Sequence, residues 1–419
     1  MSTESQAGKI ERRVTAGLRG ASWNPALLPE TMRSRVMPLA TEDGAQIVGC
    51  LHARGGETTA IVIMHPRELL LTHYMVPHLV AAGYACWVQG ARSVGNDIRL
   101  EHETALLDLA AGLAFLREAG FARIVLLGNS GGAALFAFYI QQSEATGTQR
   151  IARSPGGRPT GLAEAHLPRV DGLIGLAPHP GQGKLLQNLI DPSVTDEDDA
   201  MSVDPALDPF SPANGFEPPP GGARYTADFV ARYRAAQAER VARIDARARG
   251  LIQARLEERK LIKSGQGGDP RRAAFGGVFQ VWRTNADLRC YDLSLDPSDR
   301  HWGTVWGADP YASNLGSIGF ARVCTPESWL STWSGLSSNA SFERCGPAIH
   351  QPTLIIGYSG DNTVFGTELD AIFASVAAPD KRRHSVRGNH HGQPLEPDER
   401  PGQEIAATLI RDWLEERFR

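Results

Sequence analysis

Three short segments carry side chains that could do covalent chemistry together: Gly128-Asn-Ser130-Gly-Gly132, Gly357-Tyr-Ser-Gly-Asp361 and Gly388-Asn-His390-His391-Gly392. A serine hydroxyl is a poor nucleophile until a base removes its proton, and that base needs an acid to orient it. Serine, then carboxylate, then histidine is one chain order in which such a trio occurs. Asp361 follows Ser130, and a pair of histidines follows Asp361. Either His390 or His391 meets the requirement. The glycines around Ser130 have a physical reason: a sharp turn strains the serine backbone and leaves no room for neighbouring Cβ atoms. A helix starting just beyond the serine would offer unpaired N–H groups and its dipole to a developing oxyanion. A dinucleotide loop needs G-x-G-x-x-G, which is absent, and the Gly90-to-Gly95 spacing lacks the Lys-Ser/Thr of a phosphate loop.

Such residues need a frame, and the chain supplies one. Residues 36–40 and 45–51 flank Asp43-Gly44 and read as a hairpin. Ala60-Ile-Val-Ile-Met64, Ala85-Cys-Trp-Val-Gln89 and Arg123-Ile-Val-Leu-Leu127 are short apolar runs, as buried strands are. Helical stretches at 73–82 and 102–119 separate them, the latter stopped by Gly120. Alternating strand and helix predicts an α/β fold with a mostly parallel sheet and helices on both faces. Ser130 then follows one strand directly, and Asp361 follows another, Pro352-Thr-Leu-Ile-Ile356. Helices at 366–375 and 403–417 close the chain.

Between 181 and 350 the pattern changes. Residues 191–222 are rich in Asp, Pro and Gly, a composition that supports no core by itself. A long helix is expected over 226–262, with an apolar stripe from Val230 and Tyr233 through Val241, Ile244, Ala248 and Ile252 to Leu256. Polar Gln237 interrupts the stripe, and the arginines between its members read as a solvated face. Trp282, Trp302, Trp306, Trp329 and Trp333, five of the eight tryptophans, fall in this region. They suit either an aromatic pocket wall or the packing of the segment itself. The expected organisation is an N-terminal arm (1–35), a first core part (36–180), an insertion (181–350) and a second core part (351–419).

Composition limits the function classes. The 419 residues carry 43 Lys and Arg against 47 Asp and Glu, a net charge of −4 that excludes a dominant polyanion-binding role. With 42% hydrophobic residues the chain is no low-hydrophobicity disordered polymer. No apolar run reaches the roughly 18 residues of a membrane span. The first twenty residues hold no apolar secretory core, and Glu4 and Glu11 argue against a transit peptide. Five cysteines without C-x-x-C spacing suggest neither a metal site nor a disulfide framework, and a reducing, cytoplasmic setting is expected.

The strand–GNSGG–helix turn, the GYSGD loop and the GNHHG loop together resemble the α/β-hydrolase superfamily, over about 36–180 and 351–419. The resemblance implies Ser130 as nucleophile, Asp361 as orienting acid and His391 as base, since members commonly end this loop in G-x-x-H. Some members carry the acid one strand earlier, where this chain has Ala177-Pro178-His179-Pro180 and no carboxylate. The family's His-Gly after the third strand is here His65-Pro66-Arg67-Glu68. Proline has no N–H, so the implied oxyanion donors are the amides of Arg67 and Gly131. The Arg67 guanidinium could instead meet a substrate carboxylate. An insertion before the acid strand is where the family places a lid. The implied activity is hydrolysis of a carboxylic ester or lactone of a fairly bulky, partly apolar small molecule, without metal or organic cofactor. No nucleic-acid or membrane partner is implied, and a homodimer is compatible. The same trio would serve a carbon–carbon bond hydrolase or an acyltransferase, and a non-catalytic ligand receptor on this scaffold is the reading from another class.

Overall fold

The computed structural model describes residues 21–95 and 97–419, so most of the expected arm, residues 1–20, lies outside the described residues. The described residues form ten strands: β1 (Arg33–Ala40), β2 (Gln46–Ala53), β3 (Thr59–His65), β4 (Ala85–Gly90), β5 (Arg123–Asn129), β6 (Gly172–Leu176), β7 (Phe279–Gln280), β8 (Val323–Cys324), β9 (Thr353–Tyr358) and β10 (Lys381–Val386). Eight form one sheet in the order β1-β2-β4-β3-β5-β6-β9-β10, while β7 and β8 pair apart from it. The β1–β2 and β2–β4 pairs are antiparallel and the remaining pairs of the large sheet are parallel. Gly44, at φ +83°, turns the first hairpin as expected. The sheet begins at Arg33, inside the stretch read as arm. Residues 21–23 lie along the loop before the first helix, with amide bonds from Trp23 to Thr72 and from Tyr74 to Ala21.

The central strands are apolar on both sides because both faces are covered. Helices α1 (Met75–Ala81), α2 (His102–Glu118), α3 (Gly131–Glu144), α4 (Gln182–Leu189) and α5 (Ala227–Lys263) follow in chain order. On one face α2 and α3 bury Leu106, Leu109, Leu113, Phe136 and Ile140 against Val62, Trp87 and Leu126. On the other, α1 and the last helix, Gly402–Arg417, bury Val76, Leu79, Ile410 and Trp413 against Ile63, Val88 and Ile356. This is the α/β-hydrolase fold. Among the described residues no helix is long and apolar enough to cross a membrane.

No strand of the large sheet falls between β6 and β9, so 181–350 is inserted between two neighbouring strands. Its long helix, α5, differs from the expectation of a solvated arginine face. Arg240 is fully buried, bonded to Glu197, to the Asp191 carbonyl and to the Trp282 carbonyl. Arg234 pairs with Asp287, and Arg247 reaches Asp198. The acidic, proline-rich stretch that could not make a core alone is thus held by charge against α5. A buried guanidinium is tolerated where every N–H meets an acceptor.

Gln237, the break in the stripe, is buried for a related reason. Its amide donates to the carbonyls of Asn188 (2.7 Å) and Ile190 (2.8 Å), which the end of α4 leaves without helical partners. Replacing Gln237 by Met keeps the volume but strips the Ile190 carbonyl of its bond, whereas Asn188 keeps Arg234. Gln237→Met should destabilise the protein by about 1–3 kcal/mol, read as a lower urea midpoint at unchanged slope.

Candidate active site

Strand β5 delivers Ser130 and helix α3 starts at the next residue. Ser130 has φ 53° and ψ −120°, a strained conformation for a residue with a Cβ. Two contacts hold it there. A Cβ on Gly128 would lie 2.3 Å from the Ala133 Cα, and one on Gly132 would lie 2.4 Å from the Met64 carbonyl oxygen. The Ser130 N–H donates to the Leu176 carbonyl at 2.9 Å, and the Asn129 side chain donates to the same oxygen. The end of β6 therefore fixes the turn from the side. Ser130 does not cap its helix with its hydroxyl, which leaves Oγ free for another partner.

That partner is His390, whose Nε2 lies 3.0 Å from Ser130 Oγ. Its Nδ1 lies 2.6 Å from Asp361 Oδ2. The other Asp361 oxygen accepts the amides of Thr363 (2.7 Å) and Val364 (3.1 Å). Both loops continue the β9–β10 pairing past the strands: Ser359 N–H donates to Val386 and Gly360 N–H to Gly388. Ser130 and Asp361 stand where the sequence places them.

The base does not. The sequence reading favoured His391; the structure puts His390 between the acid and the serine. The cause is a turn over 389–392, in which the Gly392 N–H donates to the Asn389 carbonyl and the Asn389 side chain caps the His391 N–H. The two rings diverge from adjacent turn positions, edge to face at 5.0 Å. His391 Nδ1 is buried without a hydrogen-bond partner, and burial first, then the His390 charge, holds the ring neutral, its pKa lowered to about 3. Asn389 was the available signal, since Asn side chains commonly bond the backbone two residues on.

Arg67 is also corrected. Its amide donates to His65 Nδ1 at 3.2 Å, and so does the amide of Glu68. Pro66 has no hydrogen to offer, so the turn directs both following N–H groups at the imidazole. The Arg67 guanidinium is not open to a substrate carboxylate either: it holds Asp97 through two bonds of 2.8 and 2.7 Å, with Trp333 and Phe320 against it. The Gly131 amide, first of α3, finds no acceptor among the described residues.

A cavity of about 350 Å3 opens over Ser130 and His390, lined from the core by His65, Leu70 and Leu395 and from the insertion by Val305, Trp306 and Phe320. Of the five insertion tryptophans only Trp306 lines it. Trp333 sits behind Arg67 and Phe320. Trp329 is fully buried and bonded to Asp245, and Trp302 packs on Tyr291 and Phe216. The insertion also grips the acid loop: Asn362 donates to the Gly303 carbonyl, Cys290 Sγ donates to the Asn362 carbonyl, and Arg289 pairs with Glu368.

The sequence matches no protein-family model and no curated protein. Solved structures share the backbone arrangement at low identity. DcsB in complex with its substrate analogue is 13% identical, over 92% of this chain and 100% of its own, at a TM-score of 0.49. The α/β hydrolase GrgF from Penicillium sp. is 12% identical over 92% and 99%, at 0.47. The esterase domain of a Rhodothermus marinus protein is 11% identical over 92% and 99%, at 0.44. These are likenesses of fold, and the reading of the site rests on its own geometry.

His390→Ala should slow covalent labelling of Ser130 by a fluorophosphonate by about 10³-fold or more. His391→Ala should stay within about tenfold of the parent. Rates of labelling, with the site mapped by mass spectrometry, check the pair; the opposite ranking would return the base to His391.

Proposed function

We propose that this protein is a serine hydrolase acting on uncharged carboxylic esters or lactones through Ser130, His390 and Asp361. The observation that carries the reading is the relay of contacts, 3.0 Å from Ser130 Oγ to His390 Nε2 and 2.6 Å from His390 Nδ1 to Asp361 Oδ2. In the first step His390 Nε2 takes the hydroxyl proton while Oγ bonds to the carbonyl carbon, whose π pair moves onto oxygen. Asp361 holds the Nδ1–H tautomer and compensates the imidazolium. Collapse of the oxyanion breaks the C–O bond, and the leaving alcohol takes the proton from His390. Water, deprotonated by His390 in turn, then releases the acid and restores Ser130.

The cavity supports an uncharged substrate. Its arginine is already paired with Asp97, so a carboxylate entering it would lose water without gaining a free cation. Its volume of about 350 Å3 lies at the low end of the roughly 300–1,000 Å3 typical of ligand sites. The insertion acts as the lid of this cavity. Five buried free thiols accord with a reducing compartment such as the cytoplasm.

The test is an ester panel varied in size, run beside the serine probe. Ser130→Ala should lose kcat by several orders of magnitude, about 10⁴ or more, with its melting temperature kept. Persistent turnover in that variant would sink the nucleophile assignment. Trp306→Ala should raise KM for aromatic esters by about tenfold, as loss of some 50 Å2 of apolar contact at about 25 cal/mol per Å2 implies, and leave acetate esters unchanged. Trp329→Ala should instead cost stability, about 3–5 kcal/mol, with KM unmoved. Equal effects of the two tryptophans on KM would remove Trp306 from the substrate site.

A further inference from the structure

We infer that the ring N–H of His65 is the second oxyanion donor, acting beside the amide of Gly131. The inference rests on the hydrolase reading and completes its site. It starts from a count of hydrogens. Oxyanion stabilisation in acyl transfer needs donors converging where the carbonyl oxygen becomes charged. The Gly131 amide supplies one, and the Arg67 and Glu68 amides are both turned onto His65 Nδ1.

That arrangement decides the tautomer. Nδ1 accepts two N–H groups and so carries no hydrogen; the proton of the neutral ring is on Nε2. Among the described residues nothing accepts from Nε2. The same nitrogen lies 2.9 Å from where a Cβ on Gly131 would stand, which places a free N–H beside the first residue of α3. His65 also lines the cavity that holds Ser130 and His390.

A second imidazole stands equally near and serves as a contrast. His179 Nε2 is likewise 2.9 Å from the missing Gly131 Cβ, and its Nδ1 accepts the Gly181 amide. The Gln182 side-chain oxygen also stands 2.9 Å from that Cβ position, and neither His179 nor Gln182 lines the cavity. Of the two rings, His65 is the one that lines the cavity holding Ser130 and His390.

The ring must stay neutral to donate without surrendering a proton, and its surroundings ensure this. Burial foremost, then the neighbouring His179, Arg67, His390 and His102, hold its pKa well below the ordinary 6.5. No proton leaves His65 in the step. It donates a hydrogen bond as the carbonyl π pair moves to oxygen, and keeps its hydrogen when the pair returns.

Two substitutions separate this role from simple anchoring of the loop. In His65→Asn the side-chain oxygen takes the place of Nδ1 and still accepts the Arg67 and Glu68 amides, but the distal donor is gone. In His65→Gln the side-chain nitrogen reproduces Nε2–H, but the anchor is lost. His65→Asn should lower kcat by about 10²–10³-fold with KM changed by less than about threefold. A trifluoromethyl ketone, whose serine hemiketal carries the oxyanion, should lose affinity for this variant by a similar factor. His65→Gln should remain within about tenfold of the parent in both. An active His65→Asn enzyme with an impaired but folded His65→Gln enzyme would overturn the inference and return the donor to the loop amides. If one variant does not fold, the other still decides by its own rank. Parent protein that neither labels at Ser130 nor turns over any ester would remove the hydrolase reading itself, a different failure from a retained rate in His65→Asn.

Discussion

Backbone contact, with no side chain between, is the constraint on which the site depends. The first turn of α3 lies so close to β3 and β5 that a single methyl on Gly128 or Gly132 would overlap main-chain atoms. This closeness holds Ser130 in a conformation costing of order 1–3 kcal/mol. It also puts the Gly131 amide next to His65 at the end of β3. The neighbouring strand supplies the rest, since one carbonyl, Leu176, accepts both the Ser130 amide and the Asn129 side chain. Three parallel strands therefore set one hydroxyl, and the surrounding chemistry is placed relative to it.

The insertion is tied into the same arrangement. Its own cohesion comes from α5 side chains buried against acids and carbonyls, with Gln237 holding the carbonyls of Asn188 and Ile190 and Arg240 that of Asp191. Buried charges of this kind fix geometry more than they add stability, because desolvation consumes much of the Coulomb gain. Fixed geometry matters here, because the insertion reaches the Asp361 loop through Asn362 and Glu368. It therefore does more than cover the cavity. Ser130, His390 and Asp361 all lie outside 181–350, yet the loop that carries Asp361 is bonded to residues of that insertion as well.

Much of this was legible in the sequence. Strand order, the strained serine turn and the acid at a strand end follow from apolar runs, glycines and chain order, which are local signals. What stayed hidden depends on the third dimension. Which of two adjacent histidines turns inward is set by a turn around Asn389. Whether Arg67 faces substrate depends on Asp97, thirty residues away, whose match no periodicity reveals. The arginines of α5 looked solvated because a helix face shows its charge but not its partners, and two of those partners, Glu197 and Asp198, lie in the acidic stretch that seemed unfit for a core. The tryptophans were ambiguous for the same reason: density in sequence does not say which ring reaches the cavity, and only Trp306 does.

The histidines around Ser130 show how one site can hold several imidazoles and use each differently. His65, His179 and His391 all have pKa values driven down by burial before any neighbour acts. Among the described residues none of the three has a carboxylate partner. His390 does, and its ring centroid is 5.0 Å from that of His391. Two imidazolium charges at that distance would repel by about 3 kcal/mol at an effective dielectric constant near 20. In the proposed reaction the proton of Ser130 passes to His390, with the Asp361 carboxylate behind its ring, while a neutral His65 keeps its hydrogen for the oxygen across the reacting carbon. The proposed base and the proposed donor are the same side chain in different surroundings: a carboxylate behind one, two backbone amides behind the other.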